Sequence, residues 1–201
     1  GKIQKMAEFL PKISLRKNIT VSFSDGGREY GFNHIGLYNY LIRSYENIQI
    51  PAEKPSELLI AKNEKLPWLL RDFFWSDPHQ YDTIGKFKES TEYLPDAQWF
   101  IVKRKTYSFA AKAGHNNEGH NHNDVGSFIF ADDNGQMLTD LGAMEYTAKS
   151  FSNLRYTILS NSSLGHSVPI VNGNSQKDGA QYRAKVLQAD KETFAMELQD
   201  A

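Results

Sequence analysis

The spacing of apolar residues in this chain changes once, near Gln98, from the period of a helix to that of a strand. An all-helical or all-β fold cannot satisfy both halves. Upstream, Ile35, Tyr38, Leu41, Ile42 and Tyr45 follow the i, i+3, i+4, i+7 pattern, and residues 58–75 form a second such stretch, broken near Pro67. Asp25-Gly26-Gly27 signals a turn, and Pro51, Pro55 and Pro78 punctuate the remainder. Downstream, residues 99–102, 107–110, 125–131, 137–141, 168–171 and 183–188 alternate or run apolar at regular spacing, which predicts strands. Asp132-Asp133-Asn134-Gly135 predicts a hairpin, because Asn-Gly tolerates the positive φ angles of tight turns. The expected fold class is α+β: a helical segment over 1–90, then an antiparallel β-sandwich or barrel over 91–201.

Forty per cent apolar residues suffice for a buried core. A net charge of −1 gives no global attraction to nucleic acid or to an anionic membrane, and Lys103-Arg104-Lys105 reads as a solvated strand end. With no cysteine there is neither a disulfide framework nor a thiolate metal site. No apolar run approaches the ~18 residues of a membrane span, and no signal peptide is visible. The segment from Lys2 to Leu10 suggests a helix entered partway, and 193–198 stops within an alternating strand pattern. The chain is therefore expected to be an excised piece of a longer one.

The chemistry concentrates in Gly119-His120-Asn121-His122-Asn123-Asp124, with Asp140 and His166 following. Neutral imidazole and carboxylate are ligands that zinc accepts, and three such protein ligands make a site. In extended chain His120 and His122 would project to one side, roughly 6.5–7 Å apart at Cα, one on a metal and the other facing a substrate. The predicted hairpin brings Asp140 back towards His122, and His166 could close the set from a neighbouring strand. Asn121, Asn123 and Asp124 could hydrogen-bond the ligating imidazoles or simply form turns. His115 reads as a loop residue outside the set, and His34 and His79 lie in the helical half.

Residues 113–128 (Ala-Gly-His-Asn-Asn-Glu-Gly-His-Asn-His-Asn-Asp-Val-Gly-Ser-Phe), then Leu138-Thr139-Asp140-Leu141-Gly142 and Gly165-His166-Ser167-Val168, resemble the heparinase II/III-like polysaccharide lyases over roughly residues 93–173. Residues 6–10 and 23–28 more weakly resemble the end of that family's helical part. The resemblance implies the C-terminal end of an α/α-toroid followed by an antiparallel β-sandwich, both incomplete, with substrate between them. It implies zinc, mainly structural, on His122, Asp140 and His166, with His120 facing the sugar. It also implies a β-domain tyrosine, Tyr146 or, failing that, Tyr156.

The implied reaction is β-elimination at a uronate in an acidic polysaccharide such as heparin, heparan sulfate or alginate. A proton α to the carboxylate leaves while the β-glycosidic oxygen departs, so the site must disperse negative charge, accept a proton and donate one. His120 could neutralise the substrate carboxylate or assist proton removal. Tyr146 could protonate the leaving oxygen, and a nearby cation would lower its pKa from ~10. Arg155 is the candidate carboxylate clamp, because a guanidinium fork matches a carboxylate, and Asn121 a further substrate contact. The family's location would be periplasmic or secreted.

Departures from the pattern are equally plain. Most of the toroid is missing, including the tyrosine usually assigned as base, so this piece alone is expected to bind metal poorly and to show no lyase activity. One alternative is a non-catalytic carbohydrate-binding β-sandwich with a structural ion. Another is a metal-dependent cupin-like barrel, since Gly114 to His122 fits Gly-x5-His-x-His, but Gly126 and Ser127 stand where its Glu should be. No acidic pair suggests a two-carboxylate glycoside hydrolase.

Overall fold

The computed structural model describes residues 1–16, 19–27, 35–45, 48, 66–77 and 87–201. His34, His79, Arg28, the three prolines Pro51, Pro55 and Pro78, and the stretch 58–65 lie outside the described residues. Among the described residues of the first part lie three α-helices, α1 (Lys2–Ile13), α2 (Ile35–Ser44) and α3 (Leu66–Trp75), with β1 (Ser14–Arg16) and β2 (Ile19–Thr20) between the first two. The second part carries β3 (Ser90–Leu94), β4 (Trp99–Lys103), β5 (Ser108–Lys112), β6 (His115–Asn116), β7 (Phe128–Asp132), β8 (Gly135–Leu138), β9 (Gly179–Ala189) and β10 (Phe194–Asp200). The chain is thus mixed α and β, with the helices first, as the change of period predicts. Pro67 lies in the first turn of α3, where a residue has no use for the amide hydrogen that proline lacks. Among the described residues no helix is long and apolar enough to cross a membrane.

Every pairing between the described strands is antiparallel, in sheets ordered β3-β4-β5-β7-β8, β10-β9-β6 and β1-β2. Successive side chains of a strand face opposite ways, yet Phe100, Ile101 and Val102 of β4 are all buried. Both faces of that strand must therefore be covered. Ile101 joins Leu15, Val21, Phe23, Ala110 and Ile129 in one core cluster. Phe100 stacks on Phe194 of β10 at 5.0 Å on the other side. Leu15, Ile101 and Ile129 are fully buried, and each contributes roughly 1.5–3 kcal/mol of hydrophobic stabilisation. Ile13, Leu15, Ile19, Val21 and Phe23 thus share their core with the β-rich part.

Several predicted elements differ. Residues 168–171 form no strand; only Val171 pairs, with Asn174, because the Asn172-Gly173 turn folds the chain straight back. The strand expected over 137–141 stops at Leu138, and 125–127 is a turn before β7. The hairpin pairs Asp132 with Gly135, so its loop is Asp133-Asn134, capped by Asp132 Oδ1 accepting from Asn134 N at 2.8 Å. His115 sits in a short strand, not a loop. Lys103 Nζ donates to Pro11 O at 2.8 Å, and Arg104 donates to Ser90 O and Thr91 Oγ1, so this basic run ties elements together instead of lying in solvent.

The segment after Asp140 docks against the turn after β2. Ala143 N donates to Gly26 O at 3.0 Å, Gly142 has φ +60°, and a Cβ on it would lie 2.3 Å from Gly26 O. Only glycine fits there without a backbone shift. Gly142→Ala is expected to destabilise the fold by roughly 2 kcal/mol or more, as a lowered urea midpoint with unchanged slope.

Candidate functional site

After β6, residues 117–127 lead to β7 as a loop that is not extended. His120 has φ +61°, in the left-handed region, where a side chain costs roughly 1–3 kcal/mol of strain. The turn at His120 sends the two histidines apart: the His120 side chain is 78% exposed, whereas His122 is 3% exposed. The expectation that both rings face one side is therefore corrected. His166 arrives at the end of a run of short 3₁₀ turns from Ala148 to Gly165, not from a strand. The Ser-rich sequence there favours such turns, because its hydroxyls satisfy nearby carbonyls, as Ser162 Oγ does with Leu159 O at 3.0 Å.

In the interior, Asp140 and His166 meet with both side chains fully buried. His166 Nδ1 lies 2.7 Å from Asp140 Oδ2, which also accepts from Ser127 Oγ at 2.9 Å, while Asp140 Oδ1 accepts from Gly142 N at 2.9 Å. The His122 ring lies 5.2 Å from that of His166. His122 Nδ1 and His166 Nε2 are both buried without a hydrogen-bond partner. An orphaned buried polar atom costs about 1–3 kcal/mol, so two on neighbouring imidazoles call for an explanation. A metal ion supplies one. Asp124, Asp140 and His166 offer ligand atoms within 4.8 Å of one another, a cluster that could hold a metal.

Asp124 carries other obligations. Its Oδ1 accepts from Lys112 Nζ at 2.8 Å, and its Oδ2 accepts from Ser24 N at 2.8 Å and Ser24 Oγ at 3.2 Å. Lys112 is fully buried and reaches Glu118 Oε2 at 3.2 Å as well. Burial pushes the Lys112 ammonium down, but the Asp124 and Glu118 carboxylates together outweigh it and the net direction is up. Burial likewise raises the Asp124 carboxyl, and Lys112 with His166 and the hydrogen bonds carries it below the usual range.

The two buried imidazoles are pushed in opposite directions. Burial, then the neighbouring His166, lowers His122 to about 4, so it is neutral and ready to donate a lone pair. For His166 burial lowers the pKa, and the Asp140 hydrogen bond and charge reverse this to a net rise. A metal must therefore displace a proton from His166. Affinity should be full above the raised His166 pKa and fall about tenfold per pH unit below it. Zinc titrations by calorimetry across this range, in buffers of different ionisation enthalpy, measure both the slope and the released proton.

At the rim, one carboxylate gathers the exposed groups. Asp25 Oδ2 lies 2.6 Å from His120 Nδ1 and also accepts from the Tyr146 hydroxyl. Tyr146 is more than half exposed, and its pKa is raised by the hydrogen bond to Asp25 and by burial. The expected lowering by a cation is thus corrected: Arg155 does pull the phenol down, but Asp25 prevails. Arg155 Nη2 donates to Asn121 O at 2.8 Å, and Tyr156 Oη to Asn121 Oδ1 at 3.0 Å. Expected as a sugar contact, Asn121 is instead 3% exposed, its Nδ2 donating to His122 O and its Oδ1 accepting from Tyr156. Asn123 is buried too, its Nδ2 donating to Gln176 O at 3.1 Å.

Sequence reasoning missed Lys112, Glu118, Ser24 and Asp25. Lys112 had a visible signal, a lone ionisable residue within the otherwise apolar Phe109-Ala110-Ala111-Lys112-Ala113. Asp25 read only as a turn-former.

Antiparallel sheets that carry a buried, metal-capable His/Asp centre beneath an exposed imidazole and phenol define a class of β-rich domain built around a site. The family model described as heparinase II/III-like, C-terminal, matches residues 88–197, more than half of the 201-residue chain, and the chain belongs to the heparinase II/III-like family. Among curated proteins none matches the chain.

Proposed function

We propose that this chain carries the β-domain side of a lyase site that cleaves a uronate-containing polysaccharide, of the heparin, heparan sulfate or alginate type, by β-elimination. One observation carries the reading beyond family membership. His120 and Tyr146, from separate segments, meet at the exposed rim on Asp25, while His122 and His166 turn inward with bare nitrogens. A division between groups available to substrate and groups available to a metal is what such a site requires.

His122, Asp140 and His166 would hold zinc. Asp124 is the alternative third ligand, because its carboxylate, and not the His122 ring, lies within ligand reach of Asp140 and His166, although Lys112 and Ser24 already engage it. Zinc there would brace the loops from opposite sides of the site, since its ligands are buried away from the rim. His120 presents its ring towards the sugar, where it accepts the α-proton or binds the uronate carboxylate. Tyr146, held protonated by Asp25, suits the donor that meets the departing glycosidic oxygen. Arg155, half-buried and near enough to Tyr146 to act on its phenol, would pair with the uronate. Asn121 braces the loop. A family of this type works outside the cytoplasm, so we place the protein in the periplasm or medium.

The test is to give the longest natural form of the protein a panel of uronate polymers and follow the ultraviolet absorbance of the new C=C bond. No increase on any member of the panel would overturn the reading. The depth of the imidazole pair also favours a second one, a carbohydrate-binding module with a structural ion. Such a module would bind the polymers without turnover, and replacing His120 would leave its affinity unchanged.

Zinc should stabilise the fold under either reading. At 100 times its Kd the gain is about 2.7 kcal/mol, read as a shift in thermal midpoint that a chelator reverses and His166→Ala abolishes.

A further inference from the structure

We infer that Asp25 is a positioning residue which fixes the tautomer of His120, so that Nδ1 carries the proton and Nε2 is presented bare at the rim. This rests on the lyase reading for its purpose and on the hydrogen bonds for its content. A carboxylate only accepts, so the 2.6 Å contact with His120 Nδ1 requires the hydrogen on that nitrogen. A neutral imidazole has one such hydrogen, which leaves Nε2 as the lone pair.

Asp25 is well anchored for this task. Its neighbour Ser24 has φ +56° and is tied through both backbone N and Oγ to Asp124, which the fully buried Lys112 holds in turn. The chain departs from ordinary backbone on each side of the Asp25–His120 contact, at Ser24 and at His120. The Asp25 side chain is 21% exposed, so the turn presents a partly shielded carboxylate to an otherwise open ring. The same oxygen accepts the Tyr146 hydroxyl, which directs that proton too. Asp25 thereby sorts the two rim groups, an acceptor at His120 Nε2 and a protonated phenol at Tyr146, before any sugar arrives.

The experiment is long-range proton–nitrogen NMR on protein labelled with nitrogen-15 histidine, at about pH 8.5, well above the ordinary imidazole pKa. The wild type should show His120 mainly protonated at Nδ1. Asp25→Ala should reverse the majority to the Nε2-protonated form that unconstrained histidine favours, and Asp25→Glu should restore it in part. Unchanged His122 and His166 resonances report an intact interior. An Nε2-protonated majority in the wild type would overturn the inference without any variant, and so would an Nδ1-protonated form that persists in Asp25→Ala. Because no substrate is present, a protein with the expected tautomer that eliminates no polymer overturns the lyase reading alone.

Discussion

Lys112→Met should lower folding stability by about 3–5 kcal/mol, the range seen when one member of a buried ion pair is removed. The ammonium and the Asp124 carboxylate are both fully excluded from solvent at 2.8 Å, and Glu118 leans on the same nitrogen. Methionine fills the space but leaves two carboxylates facing each other. Relief should follow when Asp124 is neutralised as well, so Lys112→Met with Asp124→Asn is expected to cost less than the sum of the single changes. Urea titrations of the four proteins give the coupling, and additive losses would contradict the network. The pH dependence has a definite sign. Asp124 is depressed in the fold, so its contribution is complete above its unfolded value of ~3.9 and is lost as pH falls through the lower folded value. Without Lys112, burial raises that carboxyl and this acid limb should vanish.

His120→Ala is expected to lower turnover on a uronate polymer by about 10²–10⁴-fold, the usual contribution of a positioned acid or base. Zinc affinity and thermal midpoint should change little, since the His120 side chain is largely exposed. The result that would sink the assignment is a large fall in metal affinity with turnover per bound zinc preserved. In that case His120, not His122, would be serving the ion.

How much could be read in advance depended on the length of each signal. Ile35, Tyr38, Leu41 and Ile42 of α2 repeat at helical spacing, and β4, β5 and β9 are long enough to show their period, so those elements were legible. β1 and β2 span three and two residues and offer no period at all. Residues 148–165 hold successive 3₁₀ turns whose hydrogen bonds are local, and nothing in their pattern says which wall of the protein they will line. His122, Asp140 and His166 could be nominated because ligand chemistry restricts residue type. The divergence of His120 from His122 could not, because it follows from one left-handed φ at a residue that rarely adopts it. Asp25 was hidden for a different reason: its partners, His120 and Tyr146, stand 95 and 121 positions away.

Anyone dissecting this protein should heed where the early strands pack. A boundary drawn at residue 91, where the sequence changes character, would strip Leu15, Val21 and Phe23 from beneath Ile101 and Ile129. It would also discard Ser24 and Asp25, the anchor of Asp124 and the partner of His120. An expression clone of the β-rich half should therefore retain residues 13–27, joined to the rest by a spacer.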